Sequence, residues 1–158
     1  MTDAAATPPV APELDPTLET VVEHALEELD VDTPRVGIVM DAESDMPALE
    51  PAARELEQRD ILHEVRVMSA QHDAGAVAAY AKNAQMRGLA VLIVAAAPGS
   101  PLPGVVAGHT ELPVIGVPLA DDALLALAAA PPDAPVACVG VDRARSAAVL
   151  AARILTAT

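Results

Sequence analysis

Three short stretches concentrate the residue types that can do chemistry. Residues 41–45 carry Asp41, Glu43, Ser44 and Asp45. Three carboxylates there could jointly hold Mg²⁺ through hard oxygen ligands, or form a solvated acidic turn. Residues 69–73 carry Ser69, Gln71, His72 and Asp73. His72 is the one side chain in the three stretches that titrates near neutrality, so it is the candidate general acid or base. A helix N-terminus beside it would favour the neutral imidazole; the competing reading is an exposed loop histidine next to Asp73. Residues 96–104 carry Gly99 and Ser100. With Ser44 and Ser69, they could donate hydrogen bonds to an anion at helix N-termini, or satisfy turns. The stretch lacks the Gly-Lys-Ser/Thr end of a P-loop, and no G-x-G-x-x-G fingerprint occurs, so no nucleotide cofactor is expected.

The remaining histidines, His24, His63 and His109, are scattered. With one cysteine and no His-x-x-x-His spacing, no metal site is expected. His109 falls at a helix end, where its imidazole is expected to meet the last carbonyls.

The elements that position these stretches alternate between short apolar runs and helical patterns. Strands are expected at 36–40, 64–68, 90–95, 113–117 and 136–141. Helices are expected at 45–59, with Asp45 as N-cap and Pro47 in the first turn, at 74–87 closed by Gly88, near 104–109, at 121–130 and at 143–156. Five strands alternating with helices imply an α/β fold, a doubly wound five-stranded parallel sheet in three α/β/α layers. Ligands of such sheets bind in loops beyond the carboxyl ends of the strands, which selects the turns after Met40, Met68 and Ala95. These are the three stretches above.

The 158 residues suit one domain able to bury roughly two-thirds of its unfolded surface. Cys138, in an apolar run, reads as a small buried hydrophobe. Nine acids and no Lys or Arg precede Arg35, so of the net charge of −14 only −5 belongs to residues 35–158. Residues 1–34 thus read as an acidic N-terminal extension, unstructured over 1–16 and helical over 17–29, ahead of the domain at 35–158. The acidity argues against nucleic acid, and the absence of Phe and Trp removes a stacking platform. The longest apolar run, 89–97, falls far short of the ~20 residues that span a bilayer, and no secretory signal is visible. A cytoplasmic protein binding neither nucleic acid nor membrane is expected.

At the three loops the sequence resembles the PurE family, the aminoimidazole ribonucleotide carboxylases and mutases. The segments are VGIVMDAESDMP, VRVMSAQHD, AKNAQMRGLAVLIVAAAPGSPLPGVVA, LPVIGVPL and AAVLAARIL. The family carries G-S-x-S-D after its first strand, S-A-H-R-T-P after its second, G-A-G-G-A-A-H-L-P-G after its third, and a later P-V-I-G-V-P strand. The resemblance implies a flavodoxin-like fold, a homo-oligomer (an octamer), no cofactor, and a ribonucleotide or other small anionic ligand. It assigns ligand contacts to Ser44, Asp45, Ser69, Ala70, Gln71, Gly99, Ser100 and Leu102, and Asp45 would orient the ribose or phosphate. A shorter likeness, L-P-x-V-V-A-G at 102–108, is to pyridinium carboxylases.

The departures fall on the chemistry. Asp41 and Ala42 replace Gly and Ser, Gln71 stands at the catalytic His, His72 at the phosphate-binding Arg, and Pro101 at the second His. A mutase moves a carboxyl group between nitrogen and a ring carbon and must shuttle a proton. Gln71 does not titrate, and Pro101 offers neither a side-chain nor a backbone donor. Losing the Arg weakens phosphate binding by about 1.5–3 kcal/mol per hydrogen bond. The expected protein is a diverged PurE-like member with an altered or lost site, acting structurally or as a regulator, alone or mixed with a catalytic homologue; the alternative is an active mutase or nucleotide carboxylase using His72.

Overall fold

In the computed structural model, the described residues are Thr17, Thr20, Val21, His24, Ala25 and 33–157. The chain divides into two compact units, residues 1–32 and 33–158. The five described residues of the first unit are helical, and the rest of the helix expected over 17–29 lies outside the described residues. The segment 1–16 lies outside the described residues.

The second unit is a five-stranded sheet. Its strands are β1 (Val36–Met40), β2 (His63–Val67), β3 (Val91–Ala96), β4 (Val114–Pro118) and β5 (Ala137–Cys138), in the order β2-β1-β3-β4-β5. Every pairing is parallel. This is the order of flavodoxin-like sheets, and the topological switch lies between β1 and β3. β1, β3 and β4 are buried along their whole lengths, which is why they read as continuous apolar runs.

Alternate residues of these strands feed two cores. Val36, Ile38, Met40, Val91, Ile93, Ala95 and Ile115 face helices α1 (Met46–Gln58) and α5 (Ala144–Thr156). Val39, Leu92, Val94 and Val114 face α2 (Ala74–Asn83) and α3 (Leu102–Ala107). Helix α4 (Asp121–Ala128) adds Ala123 and Leu127, and Leu127 lies where a Cβ on Gly116 would intrude, at 2.8 Å. Five alanines of α5 are buried, so that helix can lie close to its neighbours.

Three expectations are corrected. The fifth strand spans two residues rather than 136–141. It is an edge, paired with β4 at Ile115–Ala137 and Gly116–Cys138; Pro135 offers no N–H ahead of it, and after the Val139 N–H reaches the Gly116 carbonyl at 3.2 Å the chain turns, with Arg143 N–H bonded to the Gly140 carbonyl at 3.1 Å. For the same reason Cys138 is exposed rather than buried. Helix α2 ends at Asn83, and a turn carries the chain to Gly88 at φ +93°. There the N–H of Leu89 reaches back to the Ala84 carbonyl at 3.1 Å. A Cβ at Gly88 would meet Thr33 Cγ2 at 2.3 Å, so the turn requires glycine.

Candidate functional site

Parallel strands deliver their following loops to one edge of the sheet. Because β1 lies between β2 and β3, the loop at 41–45 is flanked by those at 68–73 and 97–101. The ladder continues past the strand end, with the Met68 N–H donating to the Met40 carbonyl at 2.8 Å. Across the switch point, the Ser100 hydroxyl donates to the Asp41 carboxylate, closing the first loop onto the third. Ser100 Oγ in turn accepts the N–H of Leu102 at 3.1 Å. Its hydrogen is therefore committed to Asp41 and its oxygen to the start of α3.

The first loop enters α1 through a 3₁₀ turn, Glu43–Asp45. This corrects the capping role expected of Asp45. Its backbone is already helical (φ −85°, ψ −11°), and its side chain makes no cap hydrogen bond. A capping residue needs an extended backbone to aim its oxygen at the first turn, and the 3₁₀ turn denies it that. Asp45 is half-buried, Ser44 is exposed, and neither side chain has a hydrogen-bond partner among the described residues.

In the second loop the cap is Asp73. It accepts the Ala76 N–H at 2.9 Å and holds the N-terminus of α2. Ser69 steadies the turn: its carbonyl accepts from the Asp73 N–H at 2.9 Å, and its hydroxyl lies 3.4 Å from the His72 N–H. Gln71 and His72 are exposed, and their side chains have no partner among the described residues. In the third loop Gly99 takes φ +71° with open space where a Cβ would stand, so glycine serves the turn's conformation.

Two residues named from the sequence are core rather than lining. Ala70 and Leu102 are buried against Val39, Val77 and Val106, so only their backbones could face a ligand. The Leu102 N–H is already taken by Ser100. The structure thus gathers Asp41, Ser44, Asp45, Ser69, Gln71, His72, Gly99 and Ser100 onto three adjoining loops, and leaves Ala70 and Leu102 beneath them. The set is rich in acceptors, contains one imidazole, and has no Lys or Arg within 41–45, 68–73 or 97–101.

Polar clusters elsewhere escaped the sequence reading. Glu64 of β2 accepts Tyr80 Oη at 2.7 Å and a bidentate Arg87 guanidinium at 2.9 and 2.6 Å. Burial pushes the Glu64 carboxyl up, but the bonds from Arg87 and then Tyr80 outweigh it and leave it below its usual range. Burial, followed by the bond to Glu64, raises the Tyr80 phenol well above its ordinary value. Glu55 of α1, 6% exposed, bridges Arg145 at 2.8 Å and Arg59 at 2.9 Å, and these bonds lower its carboxyl. A separate groove of about 420 Å³ lies along α5 beside Pro51 of α1, lined in part by Arg143, Arg145 and Arg153. Among the described residues no group of three or more His, Cys, Asp or Glu could hold a metal ion, and no helix is long and apolar enough to cross a membrane. His109 meets the expectation for it, with Nδ1 2.7 Å from the Val105 carbonyl.

The family model described as AIR carboxylase matches residues 35–158. The N5-carboxyaminoimidazole ribonucleotide mutase of Pyrococcus abyssi is 42% identical over 132 residues, covering 80% of this chain and 76% of that protein. The mutase of the same name from Mycobacterium tuberculosis is 44% identical over 130 residues, covering 78% and 75%. Among solved structures, a substituted PurE2 from Treponema denticola superposes with a TM-score of 0.71 at 27% identity, over 79% of this chain and 81% of that one. A PurE from Treponema denticola gives 0.66 at 28%, over 78% and 81%.

Proposed function

The chain belongs to the AIR carboxylase family, and from that premise we propose that its ribonucleotide site is altered so that it no longer transfers a carboxyl group. The protein then serves as a structural or regulatory subunit of an oligomer related to purine biosynthesis, alone or mixed with a catalytic homologue. One observation carries this reading. The three strand-end loops contain a single imidazole, His72, and it lies exposed with no partner to orient it. Proton shuttling needs a titrating group held within hydrogen-bond reach of the reacting atom. On the resemblance of these loops to the family's motifs, Gln71 and Pro101 would stand at the two histidine positions, and neither side chain can move a proton.

A second reading is favoured by the identity of 42–44% to proteins named as mutases. In it His72 replaces the usual histidine after a one-residue shift of the loop, and the protein is an active mutase or a related nucleotide carboxylase.

Incubating the purified protein with N5-carboxyaminoimidazole ribonucleotide separates the two. The first reading expects no conversion above the spontaneous rate, in wild type and His72→Ala alike. Turnover that His72→Ala abolishes establishes the second reading, and turnover that survives this substitution contradicts both.

A further inference from the structure

We propose that the groove along α5 is a second ligand site, one that takes a small organic phosphate carrying a further anionic group at the far end of an apolar spacer. At about 420 Å³ the groove has the volume of a small-molecule site. It shares no residue with the three strand-end loops, so turnover at those loops, or its absence, leaves this inference untouched. Three of the chain's nine Lys and Arg residues line it, Arg143, Arg145 and Arg153, against one acid, Asp142. In a chain of net charge −14 that is a local reversal of sign.

The fold holds one of these charges in place. Glu55 of α1, 6% exposed, accepts Arg145 Nε at 2.8 Å and, on its other oxygen, Arg59 Nε at 2.9 Å. This buried anchor fixes the Arg145 guanidinium at the groove and leaves both of its Nη groups without a partner among the described residues. The guanidiniums of Arg143 and Arg153 and the Ser146 hydroxyl have no partner among the described residues either. The ion pair with Glu55 accounts for an arginine at 145. It does not account for two more in the same groove without a carboxylate partner. Arg143 and Arg145 also lie at the N-terminal end of α5, where the helix dipole disfavours a cation, so helix stability does not explain them.

The spacing along α5 describes the ligand. Ser146, Val149, Leu150 and Arg153 fall at i, i+3, i+4 and i+7 and form one stripe. One end of the groove carries two guanidiniums and a hydroxyl, a donor set that suits the several oxygens of a phosphate. The middle is apolar, with Val149 and Leu150 beside Pro51 of α1. The other end is Arg153, about 10 Å along the helix from Ser146, and its planar fork suits a second phosphate or a carboxylate. A single inorganic ion would use only one end.

The test is calorimetric titration of the full chain with hexanediol bisphosphate and, separately, with hexyl phosphate. The bisphosphate is expected to bind about tenfold more tightly, because only it reaches Arg153, and to weaken as salt rises. Arg153→Gln should bring the bisphosphate down to the affinity of hexyl phosphate and leave hexyl phosphate unchanged. Arg143→Gln should weaken both by about fivefold or more through the lost charge-assisted bonds. Arg54→Gln removes a cation of α1 outside the groove and should change neither. Arg145→Gln strands Glu55, so Arg143 and Arg153, which bond to no side chain, carry the test even if that variant fails to fold. Equal affinity for the two compounds, bisphosphate binding indifferent to Arg153→Gln, or binding of neither overturns the proposal.

Discussion

Strand β2 carries polar residues in two settings. Within the strand, Glu64 is saturated: a phenol and a bidentate guanidinium meet its two oxygens, and Arg87 also lies 5.6 Å from the Tyr80 ring centroid. Just past its end, Gln71 and His72 have side chains with no partner among the described residues. Stability explains the first arrangement, because a partly buried carboxylate at a sheet edge needs partners. It does not explain the second. Exposed at the sheet's carboxyl edge, Gln71 and His72 are met by water, cost the fold nothing and stay accessible to a ligand, whereas Glu64 is spent on the scaffold.

The largest effect should come from disturbing the saturated setting. A Cβ on Gly37 would stand 2.5 Å from Tyr80 Oη and 2.9 Å from Leu92 Cδ2. Gly37→Ala should lower stability by roughly 2–3 kcal/mol in denaturant unfolding, by displacing the phenol from Glu64. Glu64→Ala should follow at about 1–3 kcal/mol, since it leaves the Tyr80 hydroxyl and Arg87 without their acceptor. Unchanged stability in either variant would show that the cluster is ornamental.

Unfolding across pH sharpens the same contrast. The carboxyls of Glu64 and Glu55 lie below their reference value of 4.5 in the fold. Their contribution is therefore present above that value and is lost as pH falls through the lowered folded values. Tyr80 is raised from 10.0, so its contribution is present below that value and is lost as pH rises through the higher folded one. Glu64→Gln should flatten the acid limb and bring the phenol's titration back toward its ordinary range in ultraviolet absorbance. Retention of both would detach the pH response from this cluster.

The smallest effects belong to the loops. Asp73→Ala should cost about 1 kcal/mol through the lost cap on α2. His72→Ala and Gln71→Ala should change stability by no more than about 0.5 kcal/mol, because no intramolecular bond is broken. A larger loss from either would mean that these side chains hold the fold, and the contrast along β2 would collapse.

Much of this architecture was legible in the sequence, for a physical reason. Strands buried on both faces must be apolar throughout, as 36–40 and 91–96 are, and the helices between them carry their own periodicity. The short β5 was not legible, because its apolar residues could equally have continued a strand and only the edge position, Pro135 ahead of it and the turn at Gly140 limit the pairing. Asp45 misled because capping depends on backbone angles that a 3₁₀ turn alters without changing residue types. The Asp41–Ser100 clasp joins positions 59 apart, and the Glu64–Arg87 pair 23 apart, so no local spacing announces either. The three loops themselves were found because their place at the strand ends follows from topology alone.

The central claim is that the family fold persists while the loop side chains withhold its chemistry. The most direct test places Gly at Asp41, His at Gln71, Arg at His72 and His at Pro101 in one variant, and follows carboxyl transfer from N5-carboxyaminoimidazole ribonucleotide beside the wild type. The account predicts an inert wild type and measurable turnover in the folded variant. Turnover by the wild type, or a folded variant as inert as its parent, would contradict it.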